Sequence, residues 1–233
     1  MAKKTSPKID ISNFIPSFFL ISYLSLGFVP NWEAVDKIAP QWLLMSILNA
    51  TSLGYIFYFR NRLSLFITHT LRSALSFTYI GFILWAALSY FYAINSIEVL
   101  VNITRQLNVL IMFLVMGIFI YNFKKKHLLV SYFITAILSI EVYAVLNEAL
   151  QMINTDGLIS SGSLKGVTAN RNITAFSIAI KIPFVLFLLY KHSRPLFKIG
   201  LSILLLLSTF SLSMIQSRAS FIAFAFTFFS FLV

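Results

Sequence analysis

The chain has 233 residues, of which 59% are hydrophobic, 16% aromatic and only 11% charged, and its mean hydropathy of +0.87 is more than the surface of a soluble domain of this size carries. The absence of cysteine excludes a disulfide framework and any thiolate metal site. The net charge of +11 does not point to nucleic acid, because the basic residues fall in short clusters between long apolar runs and not along one groove-lining stripe.

A helix needs about 20 mainly apolar residues to cross a bilayer, and bare loops or sheet edges cannot face lipid. The expected fold is therefore all-α, a polytopic transmembrane helical bundle forming one domain over residues 1–233 with about eight spans. Lys3, Lys4 and Lys8 lie in a cytoplasmic tail, residues 1–13, ahead of the first run, Phe14 to Val29. No small-residue cleavage site follows Phe28 and Val29, so this run reads as a retained helix rather than a signal peptide. The next runs are Trp42 to Phe59, Ser73 to Ala93, Leu107 to Phe123, Leu128 to Leu146, Ile173 to Tyr190 and Ile199 to Ile215. The last, Ala219 to Val233, reads as a span cut short by the end of the sequence or as a short helix in a thinned bilayer.

Charges sort by side. Lys3, Lys4, Lys8, Arg60, Arg62, Arg72, Lys124, Lys125, Lys126, Lys191, Arg194 and Lys198 fall on one side, 12 of the 18 basic residues. Lys37, Arg105, Lys165, Arg171 and Arg218 fall on the other, with Lys181 inside a span. The positive-inside rule then places the N-terminus in the cytoplasm. Glu33, Asp36, Glu98, Glu148 and Asp156 are external on the same reading.

Two connections are more than turns. Asn95 to Gln106 places apolar residues between polar ones, which suits either an interfacial amphipathic helix or an extension of the fourth span. Residues 147–172 read as a 26-residue external loop, periplasmic if the membrane is a bacterial inner one, and loops of that length are usually functional or disordered.

An anionic lipid-linked substrate needs cations or amides just outside the membrane, and arginine holds phosphate oxygens bidentately. Arg105, Arg171 and Arg218 are the external arginines that qualify. Arg171 stands between Asn170 and Asn172 at the start of a span, so a guanidinium, two amides and a helix N-terminus converge there. The plain alternative is a snorkelling arginine beside a helix-capping asparagine. Arg218 sits in the turn Gln216, Ser217, Arg218, Ala219, Ser220 between two apolar helices, where an unpaired charge is costly.

Within the membrane, Lys181 lies two residues before Pro183, and Glu141 is its nearest partner in sequence depth. The lysine could pair with Glu141, reach a substrate phosphate or snorkel. His69, His127 and His192 all fall on cytoplasmic connections, so none serves as a base on the outer face. There is no phosphate-cradling Gly-rich loop, no HExxH and no acid-rich metal cluster in the sequence, and no cofactor is implied.

The run Gly166, Val167, Thr168, Ala169, Asn170, Arg171, Asn172 opening a span, followed by Lys181, Ile182, Pro183 and by Gln216, Ser217, Arg218, Ala219, Ser220, resembles the N-terminal two-thirds of the O-antigen ligase and polymerase superfamily. These are bacterial inner-membrane glycosyltransferases. The resemblance covers nearly the whole chain in hydropathy and about residues 166 to 220 in motif, as far as the turn after the seventh run. It implies metal-independent transfer of a glycan from an undecaprenyl diphosphate carrier to a glycan, lipid or protein acceptor at the periplasmic face. Arg218 matches the family's Ser-Arg motif best and would hold the donor diphosphate, with Arg171, Asn170 and Asn172 beside it. The family's histidine, proposed to activate the acceptor, lies in a later periplasmic loop, so the expected base falls beyond Val233 and this chain reads as the donor-binding part. Two other classes stay open on the sequence: a transporter of a small anion using Lys181, and a non-catalytic lipid-binding subunit.

Overall fold

A computed structural model describes residues 11–30, 32–33, 36, 38–158, 163–168, 170–217, 222 and 224–225. The described residues form eight α-helices and three short 3₁₀ turns, with no strand. The chain divides into two compact units, Met1–Lys126 and His127–Val233.

Five helical stretches are long and apolar enough to cross a membrane: Ala74–Phe91, Ser96–Tyr121, Lys126–Thr155, Arg171–Lys191 and Pro195–Ile215. A sixth is reached if Ala39–Tyr58 and Arg60–Leu71, bent by 116°, count as one broken span. Outward faces such as Phe82, Leu84, Trp85 and Leu88 are exposed large apolar side chains in a contiguous set, which lipid covers and water would not. The protein is a multi-pass helical membrane protein.

In the first unit, α5 (Ser96–Tyr121) is the hub, contacted by α1 (Ile11–Leu24), α2 (Ala39–Tyr58), α3 (Arg60–Leu71) and α4 (Ala74–Leu88). Asn95 caps α5 by accepting the Glu98 amide at 3.2 Å. Of the two readings of the stretch before the fourth run, extension is the one found, since helix is continuous from Ser96. Val115, Ile118 and Phe119 face inward, and Phe119 stacks on Phe19 at 5.4 Å.

The cationic connection after the second run is itself a helix, α3. Leu63, Phe66, Ile67 and Thr70 recur at helical spacing and turn towards the unit's core while Arg60, Arg62 and Arg72 stay at its ends and outer side. Gly117 allows this approach, because a Cβ there would meet the Thr70 methyl at 2.8 Å. A polar knot ties α1, α2 and α5. The Tyr23 hydroxyl donates to Asn49 Oδ1 at 2.8 Å and lies 2.8 Å from Ser52 Oγ, while Asn49 Nδ2 donates to the Asn108 carbonyl at 2.8 Å. Such bonds hold membrane helices together where apolar side chains gain nothing by leaving lipid.

The second unit is built from α6 (Lys126–Asp156), α7 (Arg171–Lys191) and α8 (Pro195–Ile215). Leu138, Val142, Val145 and Ala149 of α6 meet Ile178, Ile182 and Val185 of α7 and Leu212 and Ile215 of α8 in one core. The expected loop at 147–172 is shorter than the sequence suggested. Helix α6 runs on to Asp156, because Ala149 and Met152 continue its inward stripe past Leu146. Of the eighth run, only Ile222, Phe224 and Ala225 lie among the described residues.

Candidate functional site

Lys181 is the middle residue of α7, and the i, i+4 relation places Ser177 one turn away on the same face. Lys181 Nζ donates to both carboxylate oxygens of Glu141 on α6, at 2.8 and 2.9 Å. Ser177 Oγ donates to Glu141 Oε1 at 2.9 Å and also contacts Lys181 Nζ. The Glu141 and Lys181 side chains are only 8% and 16% exposed, so the pair answers two charges that would be costly alone in so apolar a setting. Of the three fates open to Lys181 on the sequence, the structure has the ion pair with Glu141. Pro183 removes one amide from α7 two residues later without interrupting the helix.

The N-terminal end of α7 is a separate feature, ten residues or about 15 Å along the axis. Asn170 is its N-cap: its Oδ1 accepts the amides of Asn172 at 3.0 Å and Ile173 at 3.4 Å. That oxygen is therefore committed to the helix, leaving the Asn170 side-chain NH₂ for any ligand. Arg171 and Asn172 are exposed in the first turn. The Arg171 guanidinium has no hydrogen bond or ion pair among the described residues, and the positive end of the α7 dipole lies beside it, although Asn170 already takes the Asn172 and Ile173 amides.

This end is held by groups that sequence reasoning missed. Glu148, one turn past Val145 on α6, accepts two consecutive amides on Oε2, Lys165 at 3.0 Å and Gly166 at 2.7 Å. Thr174 Oγ1 donates to the Lys165 carbonyl at 2.6 Å, and the Thr168 hydroxyl lies 2.7 Å from it. Gly166 has φ +55°, and a Cβ there would meet the Thr174 methyl at 2.8 Å and a Val145 methyl at 3.0 Å. Leu164 is fully buried under the loop. The readable signal was a lone Gly followed by threonines at 168 and 174, bracketing a helix start.

The other external arginines differ. Arg105 pairs with Asp36 at 3.2 Å and lies over the Trp42 ring at 5.9 Å, so its charge is already answered. Arg218 lies outside the described residues. The structure thus brings Asn170, Arg171 and Asn172 together, pairs Glu141 with Lys181, and keeps these two groups apart. Among the described residues no group of three or more His, Asp or Glu side chains is placed to hold a metal ion. Comparison with protein-family models, with curated proteins and with solved structures finds no match for the chain.

Proposed function

We propose that the chain is the donor-binding part of a glycosyltransferase of the O-antigen ligase kind, seated in a bacterial inner membrane with about eight spans and a cytoplasmic N-terminus. The observation that carries this reading is Arg171. It stands at a capped helix N-terminus, fixed by the Glu148 and Thr174 contacts to the preceding loop, and its guanidinium is uncommitted among the described residues. A diphosphate leaving group gains charge as the glycosidic bond breaks, so a cation at the positive end of a helix stabilises the transition state more than the ground state. Arg171 with Arg218 would bind the undecaprenyl diphosphate, and Asn172 with the Asn170 NH₂ would orient it. The acceptor would be a glycan, lipid or protein.

The test is binding of undecaprenyl diphosphate to the purified chain in detergent, compared with undecaprenol. Arg171→Ala and Arg218→Ala should each weaken the diphosphate by roughly tenfold or more, the scale of a lost charge-assisted hydrogen bond. Arg105→Ala should leave binding unchanged. Equal affinity for undecaprenol and its diphosphate, or no effect of either arginine, would sink the reading. Anion transport through Lys181 would instead require the lysine to exchange Glu141 for the substrate; uptake abolished by Lys181→Ala and untouched by Arg218→Ala would favour it.

A further inference from the structure

At the opposite end of α7 from Arg171 lies a cavity of about 1040 Å³, between the first turns of α6, the last turn of α7 and the beginning of α8. Its rim is cationic and polar: Lys191, His192, Ser193 and Arg194. Among the described residues no acidic one lines it. The rim is ordered, because Tyr132 Oη hydrogen-bonds His192 Nε2 and Phe197 packs on the same imidazole at 4.6 Å between ring centres. Helix α8, 21 residues long, begins here with Arg194 at its N-cap, no side chain capping it and Pro195 as its first residue, which leaves the Leu196 and Phe197 amides without an intrahelical partner at the positive end of the helix dipole.

Deeper in, the lining turns apolar, with Leu188, Leu201 and Leu204 as walls. Two α6 hydroxyls stand among them, those of Thr135 and Ser139. Thr135 lines the cavity, is 8% exposed, and its hydroxyl has no partner among the described residues. Its neighbours on α6 behave otherwise: Ser131 and Ser139 each donate to the carbonyl four residues back, at 2.7 and 2.9 Å. A buried hydroxyl left unmatched destabilises the fold unless something else meets it.

We propose that this cavity binds one anionic glycerophospholipid. Lys191, Arg194 and the Leu196 and Phe197 amides hold the phosphate, and an acyl chain runs along Leu188, Leu201 and Leu204, with the Thr135 hydroxyl available to an ester oxygen. Free phosphate would use only the rim and leave the apolar depth unfilled. A zwitterionic lipid would bring its own cation to a rim that already has two fixed positive charges. Basic pockets between membrane helices select anionic headgroups for the same reason. The assignment is independent of the donor-binding reading, whose arginine lies at the other end of the helix.

The experiment is native mass spectrometry of the full purified chain in detergent, titrated with phosphatidylglycerol or phosphatidylcholine. Phosphatidylglycerol should bind preferentially. The double variant Lys191→Ala, Arg194→Ala should weaken it roughly tenfold or more, while Lys124→Ala, Lys125→Ala, which removes the same charge from an exposed turn, should not. Leu204→Trp, filling the apolar depth, should also reduce lipid binding. Equal losses in the two double variants would reduce the effect to surface electrostatics and overturn the site. Unchanged binding in Leu204→Trp would overturn the acyl-chain placement. Inorganic phosphate binding as tightly as the lipid would assign the rim to free phosphate and overturn the lipid.

Discussion

Lys181 Nζ sits within 2.9 Å of both carboxylate oxygens of Glu141, a residue forty positions earlier on the facing helix. Each charge is tolerable in the apolar span only because the other is there. Glu141→Ala or Lys181→Ala alone should destabilise the chain by about 3 kcal/mol, because either leaves a bare buried charge. Replacing both, as Glu141→Leu with Lys181→Met, should recover most of that loss. Unfolding midpoints in one detergent check this: a double variant as unstable as the worse single would show that the pair does more than neutralise itself.

The sequence offered that pair as one of three fates of Lys181, across a difference in depth that a long lysine bridges, and it placed Asn170, Arg171 and Asn172 at a span's start, where the helix cap is found. What escaped was tertiary. Nothing local distinguishes Glu148 from an external solvated acid, yet its carboxylate gathers two amides from residues 165 and 166. Asn49 and Asn108 look like isolated polar residues in apolar runs, and only helix register brings them together. The 60–72 stretch was read by its arginines, whereas the stripe of Leu63, Phe66, Ile67 and Thr70 decides its fold. Helix α6 also ends well past Leu146, where a polar face at 147–156 masked a continuing inward stripe of Ala149 and Met152.

The loop ahead of α7 offers a test of how Arg171 is positioned. Gly166→Ala places a Cβ on a left-handed backbone and against the Thr174 and Val145 methyl groups. The expected loss is about 2 kcal/mol or more, from the conformational penalty and the clash together. Glu148→Gln keeps the shape and removes the charge from two amide bonds, for about 1 kcal/mol. Hydrogen exchange at residues 165 and 166 should quicken in both variants before the rest of the unit opens. Unchanged exchange would mean that the clamp does not order the loop.

In the first unit, Asn49→Ala removes the acceptor of the Tyr23 hydroxyl and the donor to the Asn108 carbonyl in one step. Interhelical hydrogen bonds in membranes are worth about 0.6 to 2 kcal/mol, so a loss in that range is expected. Tyr23→Phe should account for part of it, and the combined variant should fall short of the sum because the groups share one network. Full additivity, read from unfolding midpoints, would show that the contacts act independently.

Gln216 ends α8 in the left-handed region, φ 53° and ψ 39°, while its amide donates to the Leu212 carbonyl at 3.2 Å. Its place immediately before Ser217 and Arg218 allows two explanations: the backbone needs this turn, or the side chain serves the donor. Gln216→Gly separates them. Glycine adopts this conformation without the steric penalty, so the variant should be more stable by about 1 kcal/mol. If the turn alone matters, undecaprenyl diphosphate binding stays at the parent level while the unfolding midpoint rises. If binding falls although the midpoint rises, the glutamine amide belongs to the donor site, and Gln216→Asn, which keeps an amide and accepts the left-handed backbone, should restore part of it.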